Sequence, residues 1–185
     1  RNLGRTDLIS LGMGGLAGDA DSGEAALSAD GRYVAFSSYA TNLVANDANA
    51  AADVFVYDRQ TGVLERASVS SAGIAANRDS LAPALSADGR YVAYASAASN
   101  LANGDANAAV DIFVHDRWAR HTGRASLAVT GPWTGVEANA DSYGPPALSA
   151  DGSLVAFVSA AGNLAPEDVN DATDAFVHER IDIPL

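Results

Sequence analysis

One phrase, Ala-Leu-Ser-Ala-Asp-Gly, is written three times in this chain, beginning at Ala26, Ala84 and Ala147. A recurrence every ~60 residues marks a propeller or a stacked array, in which each unit is too small to bury its own apolar face and must lean on its neighbours. The longer sentence that follows the phrase gives repeat blocks 26–59, 84–117 and 147–180 within one domain spanning 1–185. Register also extends upstream, since Arg1, Gly4, Ser10 and Asp21 match Arg59, Gly62, Ser68 and Asp79.

Inside a unit the apolar period is two. Tyr33-Val34-Ala35-Phe36-Ser37 and Asp53-Val54-Phe55-Val56-Tyr57-Asp58 are short runs rich in β-branched and aromatic residues, bounded by Asp, Gly or Asn, which is how strands read. The Asp30-Gly31 pair supplies the positive φ of a hairpin, and Arg59-Gln60-Thr61-Gly62 predicts another. Each unit therefore offers four strands, around Leu27, Val34, Phe55 and Ala67. Four antiparallel strands per repeat make one propeller blade, so the expected fold is an all-β propeller of three four-stranded blades. Three repeats of a β motif also suit a three-fold barrel such as a trefoil, although a hairpin followed by two strongly patterned strands fits a radial meander better.

Composition narrows the possible partners. The formal net charge of −12 repels phosphate backbones and excludes nucleic acid, while it attracts cations. With no cysteine, disulfides and thiolate metal sites are ruled out. No run of about 18 apolar residues is present, so no membrane-spanning helix is expected. The first residue is Arg1 rather than Met, as in a processed or excised domain.

The phrase Leu-Ser-Ala-Asp-Gly-Arg-Tyr-Val-Ala-Phe-Ser-Ser, then Asn-Leu-Val, Asp-x-Asn-x-x-x-Asp-Val-Phe-Val-x-Asp-Arg and Thr-Gly, resembles the TolB-like family of β-propeller repeats. That family's Ser-Pro-Asp-Gly-Arg turn has Ala29, Ala87 and Ala150 here in place of proline. The resemblance implies a bacterial binding scaffold outside the cytoplasm, secreted or periplasmic. It also implies a ring of about six or more blades. Three blades are half of a six-bladed ring, with two sheet flanks left to be closed by dimerisation or by further blades. Ile181-Asp182-Ile183 is a candidate outer strand for that closure.

The recurrent polar constellation is Asp47-x-Asn49-x-x-x-Asp53, repeated as Asp105, Asn107, Asp111 and as Asp168, Asn170, Asp174, between the second and third strands. Clustered oxygens of this kind can wrap a hard cation, and calcium is the expected cofactor. The alternative is turn capping, with Asp and Asn bonding their own backbone. A second set, Asp19, Asp21, Asn77, Asp79, Asn139 and Asp141, lies in the connection between successive blades. In an up-and-down blade it emerges on the same side, as a possible ligand rim.

His115 and His178 stand where Tyr57 stands in the first repeat, which reads as packing. Trp118 and Trp133 lie in the longer connection before the third block, where they plug a gap between blades or stack on a sugar. No Ser, His and Asp recur in a triad setting, and the inner strand reads Ala-Leu-Ser without an acid, so no catalytic residue is assigned and a propeller hydrolase is the least supported reading. The leading expectation is a binding module for a protein or carbohydrate, its interaction face ordered by calcium. A self-assembling repeat protein joined through its open flanks is the alternative.

Overall fold

The computed structural model describes residues 4–128 and 135–180. Three meanders appear where the repeats predict them. The first sheet is β1 (Ser22–Leu27), β2 (Tyr33–Ser38), β3 (Asp53–Asp58) and β4 (Leu64–Arg66), paired in that order and antiparallel throughout. The second is β5 (Ser80–Leu85), β6 (Tyr91–Ser96), β7 (Asp111–Asp116) and β8 (His121–Arg124). A small ribbon of β9 (Leu127–Ala128) and β10 (Val136–Glu137), which the repeat pattern does not predict, sits in the longer connection. The third sheet holds β11 (Ser142–Leu148), β12 (Leu154–Ser159) and β13 (Asp174–Glu179).

Among the described residues the third sheet has three strands, and the predicted closing strand at Ile181-Asp182-Ile183 lies outside them. The outer strand is shorter than expected and ends before Ala67, because the chain there turns off the sheet edge and buries Ala67 between blades.

The hairpin tips show why the repeated phrase recurs. The Ser28 carbonyl accepts the Gly31 N–H at 2.9 Å, and Gly31 takes φ +68° while Asp30 does not leave negative φ. The turn is thus closed by a left-handed glycine after Asp30, whose carboxylate accepts Ser28 Oγ at 2.7 Å and Arg32 N–H at 2.9 Å. Successive tips are joined, with Ala29 N–H donating to Ala87 O at 3.0 Å and Ala87 N–H to Ala150 O at 2.8 Å.

Blades stack in chain order, β5 packing on the first sheet and β11 on the second. One face of each blade is made of small residues and the next blade answers with aromatics. Ala35, Val54 and Val56 meet Tyr94 and Phe113, while Ala93, Ala95, Ile112 and Val114 meet Val155 and Phe157. This division explains the heavy use of alanine, since a close sheet-to-sheet approach leaves room for one large layer only. A third cluster, Phe36, Ala40, Leu43 and Phe55 with Ile9, covers part of the first blade's outer flank.

Candidate functional site

The Asp/Asn loops between the second and third strands are filled from inside the protein. Arg66, at the end of β4, reaches Asp47 at 3.0 Å and Asp53 at 3.4 Å, with all three side chains nearly buried. Arg124, at the end of β8, stands in the same way between Asp105 at 3.6 Å and Asp111 at 3.7 Å, and adds Glu137 at 2.6 Å. Each guanidinium lies over the phenylalanine of the adjacent strand, Arg66 over Phe55 and Arg124 over Phe113, both at 5.9 Å. Ser68 Oγ donates to Asp53 at 2.5 Å, as Ser126 Oγ does to Asp111. Burial pushes the carboxyls of Asp47, Asp53, Asp105 and Asp111 above the usual range, against the downward pull of arginine in all four and of the serine hydroxyls on Asp53 and Asp111.

The asparagines are turn residues. Asn49 Oδ1 accepts Ala51 N–H at 3.1 Å, and its amide donates to Asp53 at 2.8 Å and to Ala76 O at 2.9 Å; Asn107 and Asn170 repeat the first of these bonds with Ala109 and Ala172. The expected calcium ligands Asp47, Asn49, Asp53, Asp105, Asn107 and Asp111 do not fit a metal ion, because a guanidinium already lies between the carboxylates and the asparagine oxygens are committed to backbone. Among the described residues no group of three or more His, Cys, Asp or Glu side chains converges as metal ligands do.

The second acidic set ties loops together. Asp79 Oδ1 accepts Ala52 N–H at 2.9 Å, and Asp141 Oδ1 accepts Val110 N–H at 2.8 Å, so each inter-blade connection clamps the loop before the third strand. Asp19 accepts both the hydroxyl and the amide of Thr41, which hold its carboxyl below the usual range. Asn77 Oδ1 accepts Ser99 N–H and its amide donates to Ser99 Oγ, while Asn139 N–H donates to Asn163 and the Asp21 carbonyl accepts Tyr39 N–H. These bonds tie the inter-blade connections to the loops between the second and third strands, with their polar atoms largely spent on turns.

Sequence reasoning missed the arginines. The signal was there, because Arg-Ala-Ser recurs at Arg66 and Arg124, but nothing within one repeat says that this arginine meets the Asp/Asn loop. It also missed Glu24 on the inner strand β1, whose carboxylate accepts Ala82 N–H at 2.7 Å from the next blade and Ser37 Oγ at 3.0 Å. His115 behaves as packing, buried with Nδ1 2.9 Å from Thr122 Oγ1. Trp118 is exposed and stacks with Arg90 at 5.0 Å, and Trp133 lies outside the described residues.

The third blade differs. Asp168 and Asp174 sit at the same register as Asp47 and Asp53, but the counterpart of Arg66 falls just past Leu185. Oδ1 and Oδ2 of Asp168 and Oδ2 of Asp174 are buried with no hydrogen-bond partner. Its face is open as well: Ala156, Val158, Ala175 and Val177 occupy the positions that Ala93, Ala95, Ile112 and Val114 fill in the second blade, and Val177 is 66% exposed.

Stacked antiparallel four-stranded meanders with sequential connections define a segment of a β-propeller. Among solved structures, the β-propeller domain of the Trilobed protease from Pyrococcus furiosus, described as having an open velcro topology, is similar with a TM-score of 0.50 and 15% identity over 86% of this chain and 39% of that one. TolB from Acinetobacter baumannii is similar with a TM-score of 0.49 and 14% identity, covering 89% of this chain and 31% of its own. An oligogalacturonate lyase in complex with manganese has a TM-score of 0.44 and 10% identity, with 88% and 36% covered. The fold is therefore a β-propeller fold, the architecture that the repeated phrase predicts. This chain spans about a third of the length of those propeller proteins. No family model matches the sequence, and no curated protein does.

Proposed function

We propose that this chain is an extracytoplasmic propeller module that works as a binding scaffold, taking a further β-blade on the open face of its third blade. The observation that carries this reading is the contrast between equivalent valines. Val56 and Val114 are buried beneath the next blade, and Val177 is 66% exposed at the same register. An apolar blade face left in water is a surface that gains from being covered. The extracytoplasmic assignment rests on the resemblance to TolB-like repeats alone. A carbohydrate ligand, calcium ordering and catalysis have less to support them, since the polar atoms of the first two acidic loops are taken by arginine and backbone.

The test extends the chain past Arg180 with a copy of residues 118–180. In a stacked array each added unit stabilises its neighbour through their shared face, so the extended chain should melt once and at a higher temperature. Val177→Asp should remove that gain. Two separate transitions, or a gain indifferent to Val177→Asp, would overturn the reading.

Self-assembly has one observation in its favour. β5 packs on the first sheet and β11 on the second, whereas β1 is exposed along nearly its whole length, with Leu27 63% exposed. A second copy could seat its β1 on β12 and β13 of the first, closing a two-fold ring. Light scattering over a range of concentrations decides it: a dimeric mass lost in Val177→Asp supports this partner, and a constant monomeric mass removes it.

A further inference from the structure

Among the described residues the third blade carries the same two aspartates as the first two blades without the arginine that joins them there. Three of its carboxylate oxygens, both of Asp168 and Oδ2 of Asp174, are buried with no hydrogen-bond partner. These three atoms are shut off from water and, among the described residues, no ion pair to Asp168 or Asp174 is formed, a costly arrangement that a cation would relieve. Glu167, next to Asp168 in the chain, lines a groove of about 240 Å³ together with Leu164, Phe176 and Val177 of the third block and Ala125 and Leu127 beyond β8. Phe176 is the counterpart of Phe55 and Phe113, each of which has a guanidinium over its ring at 5.9 Å. Phe176, which lines this groove, is thus the one ring of the three with no guanidinium over it among the described residues. β13 pairs with β12 alone among the described residues.

We infer that the third blade is a docking site for an extended strand of sequence Arg-x-Ser, delivered from outside these 185 residues onto the outer edge of β13. The first two blades supply the template. Arg66 stands opposite Phe55 in the ladder and Ser68 Oγ reaches Asp53, while Arg124 stands opposite Phe113 and Ser126 Oγ reaches Asp111. The incoming arginine therefore stands opposite Phe176, its guanidinium between Asp168 and Asp174, and the serine hydroxyl two residues later donates to Asp174. Backbone ladder bonds supply affinity and the buried ion pair supplies the choice of sequence.

Two other occupants meet the site less well. A second copy of this chain carries Leu8 and Ser10 at the register of Arg66 and Ser68, so it brings the hydroxyl without the cation. Calcium would find two carboxylates and an asparagine whose Oδ1 already accepts Ala172 N–H at 2.9 Å, well short of its usual six to eight oxygens. The inference rests on the reading of the third blade as open, but it concerns the edge of β13 and not its face.

The probe is the peptide Thr-Gly-Val-Leu-Glu-Arg-Ala-Ser-Val, a copy of residues 61–69, titrated into the full chain by calorimetry with melting curves alongside. Expected are one binding site, a raised melting temperature, and a loss of about tenfold or more when the peptide carries Arg66→Gln or the chain Asp174→Asn. A covalent version guards against weak binding of a short peptide: Gln60 to Val69 are placed directly after Arg180, with and without Arg66→Gln in the added segment. If the Arg and Gln versions bind alike and melt alike, the inference is wrong. A calcium-dependent rise in melting temperature that Asp174→Asn abolishes, with no preference for arginine, assigns the site to a metal and also overturns it. Strand binding that survives Val158→Asp, a residue of the open face that does not line the groove, separates this edge from that face, so either reading can fail without the other.

Discussion

At the scale of single residues, the decisive fact is that a repeated cluster of acids holds a cation belonging to the protein. Asp47, Asp53, Asp105 and Asp111 were legible in the sequence as a set, and so was their appetite for positive charge; the donor was not, because arginine arrives from a different strand and its pairing exists only once the sheet is folded. Replacing Arg66 with Met leaves two buried carboxylates unpaired and should cost about 3 to 5 kcal/mol in urea unfolding. Loss below about 1 kcal/mol would mean that these carboxylates are already neutral. A second residue gives a pH signature. Thr122 Oγ1 spends its single proton on Val69 O, so His115 Nδ1 must be the donor to Thr122, and burial depresses its imidazole to about 4. A histidine depressed in the fold contributes stability that is complete above ~6.5 and is lost as pH falls towards about 4. The buried aspartates act in the opposite sense, since raised carboxyls favour the fold as pH falls. The His115→Tyr variant, which installs the residue of the first repeat, isolates the histidine: its stability should fall less than that of the parent between pH ~6.5 and ~4. Parallel curves would place the titration elsewhere.

At the scale of elements, the hairpin tips carry more than their turn. The Asp-Gly pairs announced a hairpin in the sequence and the left-handed glycine is present in each copy, at φ +68°, +70° and +73°. What no single repeat could reveal is that the tip of each blade presses on the tyrosine of the blade before it. A Cβ on Gly89 would stand 2.3 Å from Tyr33 Cδ2, and on Gly152 2.2 Å from Tyr91 Cδ2, whereas on Gly31 its nearest neighbour is the Arg59 guanidinium at 3.8 Å. The same tyrosines are held from other sides by arginines, Tyr33 by Arg32 at 4.8 Å and Arg117 at 4.4 Å, Tyr91 by Arg90 at 4.7 Å and Arg180 at 4.0 Å. Gly31→Ala should therefore cost only the left-handed backbone, about 1 kcal/mol. Gly89→Ala and Gly152→Ala should cost that plus about 1 to 3 kcal/mol of overpacking between blades. Equal losses at all three glycines, measured by chemical unfolding, would show that the tips do not bear on one another. Strand lengths were less legible than strand identities. The outer strands stop where Ala67 and Ala125 are needed in the inter-blade core, a demand set by the neighbouring sheet and invisible in the local pattern.

At the scale of the whole molecule, three similar blades end up in unlike surroundings. The middle blade is buried on both sides, with every residue of β6 and β7 buried, while β13 alternates between half-buried and exposed positions. Sequence similarity alone made the blades equal, and it is position in the stack that separates them, as expected when stability resides in the contacts between neighbouring repeats. That difference can be measured with one substitution made twice. Val114 and Val177 share a register and chemistry, yet Val114 is 4% exposed beneath the third blade and Val177 is 66% exposed. Val114→Asp forces a carboxylate into an apolar inter-blade layer and should cost more than about 4 kcal/mol, enough to unfold a marginal domain. Val177→Asp should change stability by no more than about 0.5 kcal/mol, because its side chain already faces water. Paired denaturation curves give the answer directly. If Val177→Asp is as damaging as Val114→Asp, the third face is covered in solution by something as close-fitting as a blade; if both are harmless, the stacking that orders the whole molecule is not the source of its stability.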